Sequence, residues 1–139
     1  MTWLPFAILS AVFASLVTIF SKIGLKGVDS NLATAIRTIV IVIMAWGIVF
    51  ISKAEKGLGN LDRRAVVFLV ISGLATGASW LFYFKALQKG PTAEVAIIDK
   101  LSVVLTVVLS VLVLHESINI KTIIACFLVA GGCVLLVLK

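Results

Sequence analysis

Eight side chains have the types and the spacing to do chemistry: Thr18, Arg37, Thr76, Trp80, Tyr83, Glu94, Asp99 and Ser102. Asp99 stands in a long apolar run, seven residues beyond Thr92, or about 10 Å along a helix. Ionised and unpaired in an apolar medium it would cost several kcal/mol, so it pairs or holds a proton. Lys22, Lys85 and Lys100 are the candidate partners. Asp99 is therefore either half of a salt bridge that holds a helical hairpin, or a protonatable site that faces a solute. Glu94 lies in the first turn of the same run, where the helix dipole favours a carboxylate. It is either a capping group or a second proton carrier. Arg37 sits about two turns into another apolar run. There it either reaches toward the interface or attracts an anionic solute. Trp80 and Tyr83 offer an aromatic wall suited to amphipathic or cationic molecules.

Three polar stripes accompany these residues. Ser72, Thr76, Ser79 and Tyr83 follow steps of 4, 3 and 4, so they share one helix face. Asp99, Ser102, Thr106 and Ser110 do the same with steps of 3, 4 and 4. Ser10, Thr18 and Ser21 mark a third face, with Ala14 in the gap. Together the stripes are expected to enclose a water-accessible cavity. In the alternative, each hydroxyl bonds the carbonyl one turn back and only assists helix packing.

Other chemistries are excluded. His115 is the single histidine, which leaves no histidine-based metal site and no serine–histidine pair with a plausible base. Cys126 and Cys133 are seven apart in one apolar run, about 10.5 Å along a helix. That is too far for an intrahelical disulfide, so they read as small buried thiols. No cofactor or metal is implied, and an enzyme is not expected.

The elements that must carry these residues are set by composition. Of 139 residues, 62% are hydrophobic and only 13% charged, and the mean hydropathy is +1.25. A soluble domain carries about 25% charged residues. A nucleic-acid partner is excluded despite the net charge of +6, because most of such a chain has no water-facing surface to present. A membrane helix needs about 20 mostly apolar residues, and five stretches qualify: about 3–21, 31–52, 65–87, 92–114 and 120–138. The expectation is an all-α integral membrane protein, with residues 1–139 as one five-helix domain in contact with the lipid bilayer. Gly24, Gly27, Asp29 and Ser30 break the chain after the first run. Gly57, Gly59 and Asn60 break it after the second, and Gly90-Pro91-Thr92 after the third. Asn119 is placed to cap the last helix, and Glu116 to bond backbone N–H groups at its start. The first run is longer than the usual secretory signal and has no basic residue before it, so it is expected to persist as a span. On the third run, Gly73 and Gly77 permit close packing. On the fifth, Ala125, Ala130, Gly131 and Gly132 make a packing or dimerisation face.

Five spans place the two ends on opposite sides of the membrane. On the N-terminal side lie Lys53, Lys56, Arg63, Arg64 and Lys121, which is five positive charges. On the other lie Lys22, Lys26, Lys85, Lys89 and Lys139, also five, or seven with Arg37 and Lys100 just inside their helices. Positive charge in short loops sets orientation, and here it is nearly balanced. Either the Lys53–Arg64 loop dominates, or the chain inserts both ways and two copies pair antiparallel. The second arrangement would build by assembly the inversion that many transporters carry as internal repeats.

The order of motifs resembles a known family. Phe84-Lys85-Ala86-Leu87 followed by Gly90-Pro91 resembles the aromatic-x-Ala-Leu…Pro hinge of EamA-type repeats, within the drug/metabolite transporter superfamily. Leu101-Ser102-Val103-Val104, then Glu116, then Gly131-Gly132, continues the likeness, and Leu32 to Arg37 resembles the start of the family's second helix. The resemblance covers nearly the whole chain. It implies a five-helix repeat, one half of a ten-helix inverted-repeat transporter, with Pro91, Glu116 and Gly132 in structural roles. Relatives move amino acids, nucleosides, sugars or drugs, often with protons. The related four-helix multidrug exporters use a carboxylate in the first helix, but Trp3 to Ser21 contains none. That proton site does not carry over.

These observations lead to a secondary transporter of small organic solutes, active as an antiparallel homodimer by alternating access. Its expected location is a prokaryotic inner membrane, crossed several times, with Thr18, Arg37, Thr76, Trp80, Tyr83, Asp99 and Ser102 meeting substrate and Asp99 or Glu94 coupling protons. The rivals are a subunit that pairs with a homologous inverted partner, a lipid-linked-sugar flippase subunit, and a membrane assembly factor that transports nothing.

Overall fold

In lipid no water is available for an unpaired backbone N–H or C=O, so a long apolar run satisfies its own backbone only as a helix. The computed structural model describes residues 2–138, and its regular structure is helical throughout. Lys139, counted above among the positive charges, lies outside the described residues. Five helices are long and apolar enough to cross a membrane, so the chain is an all-α, multi-pass membrane protein. It divides into two compact units, one ending at Lys89 and the other beginning at Gly90.

The first unit holds α1 (Leu4–Gly24), α2 (Ser30–Ile51), a 3-10 segment (Ala54–Asn60) and α3 (Arg63–Lys89). Pro5 in the first turn of α1 costs nothing, because its missing N–H would have no helical partner there. Beyond α1, Gly27 takes φ +74°, a left-handed turn that a side chain would strain. Asp29 then starts α2, its Oδ1 accepting from the N–H groups of Asn31 (2.9 Å) and Leu32 (3.2 Å). The helix α3 outlasts its apolar run by two residues at each end. Arg63, Arg64, Gln88 and Lys89 fill those turns, and long polar side chains of this kind let a helix run past its apolar stretch.

Helix α3 packs against both α1 and α2. The tightest packing lies where α1 ends, α2 begins and α3 ends: Leu25, Ser30, Thr34, Phe84 and Leu87 are buried. Two long-range bonds close this corner. The Lys22 ammonium donates to the Leu87 carbonyl, and Gln88 Nε2 donates to the Val28 carbonyl at 2.6 Å. Most other apolar side chains are exposed, as suits a chain that lies in lipid. Lipid tails are as apolar as leucine, so packing and interhelical polar bonds hold such helices together rather than escape from water.

The second unit holds α4 (Thr92–Asp99), α5 (Leu101–Leu114) and α6 (Ile120–Val137). Its first span was expected as one helix over 92–114. It breaks at Lys100, whose N–H donates to the Ile97 carbonyl three residues back (3.0 Å), while Val103 N–H donates to Lys100 O in the same tight manner. A 3-10 turn inside a long helix often marks a hinge. The side chain of Cys133, buried on α6, meets the same Ile97 carbonyl at 3.2 Å. A neighbouring side chain thus contributes to the local departure from the α ladder. Helix α5 ends where His115 takes φ 54°, and Glu116 N–H donates to the Ser110 carbonyl at 3.2 Å. Asn119 Oδ1 caps α6 by accepting from Thr122 N at 2.9 Å.

Candidate functional site

Tryptophan at 80 and phenylalanine at 84 are four apart, so α3 presents both rings on one face. Arg37 of α2 meets that face. Its guanidinium carbon lies 4.3 Å from the Trp80 ring centroid and 5.1 Å from that of Phe84. Cation–π attraction at this range is worth about 0.5–2 kcal/mol, more as water is removed. Arg37 and Trp80 are half-buried, while Phe84 is fully buried. The guanidinium plane is therefore held by α3 rather than free to wander.

Tyr83 extends the cluster toward α1. Its hydroxyl oxygen lies 2.8 Å from Thr18 Oγ1. The Thr18 hydroxyl also donates to the Ala14 carbonyl at 3.0 Å. A threonine has one hydroxyl proton, so Tyr83 is the donor and Thr18 the acceptor between them. Tyr83 also lies against Phe84, with centroids 6.2 Å apart. Replacing Tyr83 with Phe is expected to cost about 0.6 kcal/mol, the average for such bonds between membrane helices. A double-mutant cycle with Thr18→Val, read by unfolding in a mixed micelle, should return that coupling. Strictly additive losses would mean the bond carries no energy.

Four of the residues expected at a solute site, Thr18, Arg37, Trp80 and Tyr83, thus come together in the first unit. Phe84 joins them. In the sequence Phe84 belongs to the aromatic-x-Ala-Leu motif, and its four-residue spacing from Trp80 is the signal that ties it to this face. Thr76 lies on the same helix but is exposed, and its hydroxyl donates to Ser72 O at 2.9 Å. Thr106 and Ser110 likewise bond carbonyls of their own helix, Ser102 O (2.7 Å) and Val107 O (3.0 Å). These hydroxyls satisfy themselves locally, as serine and threonine do when no better acceptor is near.

A cavity of about 390 Å³ opens beside the cluster. Val17, Phe20, Ser21, Val28, Ile36, Arg37 and Phe84 are among the residues that line it. Apart from Ser21 and Arg37 these side chains are apolar. A second cavity, of about 370 Å³, lies among Lys22, Lys26, Gly27 and Gln88.

The second unit carries Glu94, Asp99 and Ser102. Asp99 Oδ2 lies 3.7 Å from Lys100 Nζ, at the break between α4 and α5, with the two side chains 39% and 57% exposed. Of the three lysines considered for Asp99, the adjacent one makes the pair. Glu94 lies half-buried in the first turn of α4 and Ser102 in the first turn of α5. Pro91 occupies the cap position of α4. Gly132 lies within α6, where an added Cβ would meet nothing within 4 Å. Glu116 contributes its backbone N–H to the end of α5, and Asn119 makes the α6 cap. Among the described residues no group of three or more His, Cys, Asp or Glu is placed to hold a metal ion.

Comparison with known proteins gives two likenesses. The family model described as the EamA-like transporter family matches residues 1–138. The chain is also 42% identical, over 135 residues, to an uncharacterized transporter in the cobO 3′ region of a Sinorhizobium species, covering 97% of this chain and 96% of that one. No solved structure matches it.

Proposed function

Since this chain belongs to the EamA-like transporter family, and is thus a multi-pass membrane transporter, we propose that it carries small organic solutes as an antiparallel homodimer. It does so by alternating access, without enzymatic chemistry, in a prokaryotic inner membrane. Its two units act as one five-helix domain. Thr18, Arg37, Trp80 and Tyr83, with Thr76 nearby, form the solute-facing part of the first unit. Asp99 and Ser102 form that of the second.

The observation that carries this reading is the broken fourth span. An ion pair of Asp99 and Lys100 sits at the break, inside an otherwise apolar run. Charged groups at such depth are costly and mark substrate or ion pathways. Interrupted helices are where transporters build midplane sites. Proton uptake at an Asp99 carboxylate oxygen would cancel its charge and loosen its hold on Lys100. That gives a proton a way to act on the hinge. Glu94, five residues before Asp99 and so about one and a half turns away, is the second candidate for the same task.

The near-balance of positive charge on the two sides supports the antiparallel pairing, since neither orientation is favoured at insertion. Reporters fused after Lys139, active only inside or only outside the cell, should both give signal. Signal from one alone would overturn the homodimer and point to an oppositely oriented partner chain.

A further inference from the structure

We infer that the cavity beside Arg37 binds an amphipathic anion, with its carboxylate or phosphate on the guanidinium and its apolar body along α1 and α2. This deepens the transport reading by naming the solute class, and rests on that reading for its role in flux. Binding itself requires no flux.

Three observations converge. First, the Trp80 and Phe84 rings hold the guanidinium carbon at 4.3 and 5.1 Å from their centroids, and ring contacts of this kind use none of its five N–H donors as hydrogen bonds to an acceptor oxygen. Among the described residues no carboxylate pairs with Arg37, and the one carboxylate pair is Asp99 with Lys100. Second, Arg37 lines the cavity, whose other walls include Val17, Phe20, Val28 and Ile36 with one hydroxyl residue, Ser21. A cation walled by apolar groups and lacking a counter-charge favours an anion that brings its own apolar surface. Arginine also meets carboxylate and phosphate oxygens two at a time. Third, the volume of about 390 Å³ lies toward the small end of ligand pockets, about 300–1,000 Å³. It suits a small solute or the head and first carbons of a lipid. A cationic solute, which an aromatic wall alone would have suited, is opposed by Arg37.

The test uses the full chain in phosphatidylcholine nanodiscs, with empty nanodiscs as the blank. Binding of 3-phenylpropionate, 3-phenylpropanol and 3-phenylpropylamine is measured by titration calorimetry. The carboxylate should bind about tenfold or more tighter than the alcohol, a difference of about 1.4 kcal/mol, and the amine weakest. Arg37→Gln should remove that preference. The alcohol should still bind this variant, and its thermal unfolding in the nanodisc should match that of the native chain, which together show that the cavity still folds. Arg37→Lys keeps the charge but not the planar fork, and should retain part of the preference. Equal binding of carboxylate and alcohol by the native chain, or an undiminished preference in Arg37→Gln, would overturn the inference.

A second arm adds phosphatidylglycerol to the nanodiscs. Arg37-dependent competition with the carboxylate would assign the site to a lipid phosphate, and unchanged affinity would assign it to a soluble carboxylate. If binding behaves as expected but no variant or native chain moves the solute in proteoliposomes, the transport reading fails and the site stands.

Discussion

Asp99→Asn should abolish the response of solute accumulation to a pH gradient while the protein remains folded. Asparagine matches aspartate in shape but takes up no proton in the working range. If one proton moves with each solute, a gradient of one pH unit is worth 1.36 kcal/mol, or about tenfold accumulation. In proteoliposomes the variant should fall to no accumulation, with downhill exchange retained. The competing role is structural. Asp99 and Lys100 form an ion pair at 3.7 Å inside an otherwise apolar run, and removing one partner of such a pair leaves the other charge uncompensated. In that case Asp99→Asn and Lys100→Met would each lower stability, and the double variant would recover both stability and full proton coupling. Proton-driven accumulation that persists in Asp99→Asn alone would remove Asp99 from the coupling step and pass the role to Glu94.

A second large effect should come from charge bias alone. Lys26→Ala with Lys89→Ala leaves three positive loop charges on the second side against five on the N-terminal side. Lys53→Ala with Lys56→Ala leaves three on the N-terminal side against five. None of these lysines belongs to the proposed solute site. Each double variant should insert in a single, opposite orientation, because the more positive side stays in the cytoplasm. Expressed alone, each should lose nearly all transport, since an antiparallel pair needs both orientations. Expressed together, they should recover it. Full transport from one singly oriented variant would show that the working unit is not an antiparallel pair of this chain.

Local physics made much of this molecule legible beforehand. A bilayer demands about 20 apolar residues per helix, and that rule located the five spans to within a few residues of their observed ends. The cap by Asn119 needs only its own oxygen and an N–H three residues on, so chain spacing suffices to foresee it. The polar stripes were legible as faces. Their hydroxyls nonetheless bond carbonyls of their own helices at Thr76, Thr106 and Ser110, which a face alone does not reveal. The break at Lys100 had no local signal, since neither Gly nor Pro stands there and its bonds are set within a packed pair of helices.

By itself, then, the sequence determined the class of molecule, the number of spans, the near-balance of charge and the family. Each depends on composition or on order along one chain. Only the tertiary structure decided that Arg37 lies over Trp80 and Phe84, that Tyr83 donates to Thr18, and that a cavity opens where α1, α2 and α3 meet. Those contacts join residues more than 40 positions apart. They depend on which faces of separate helices pack together, and helical periodicity leaves that choice open.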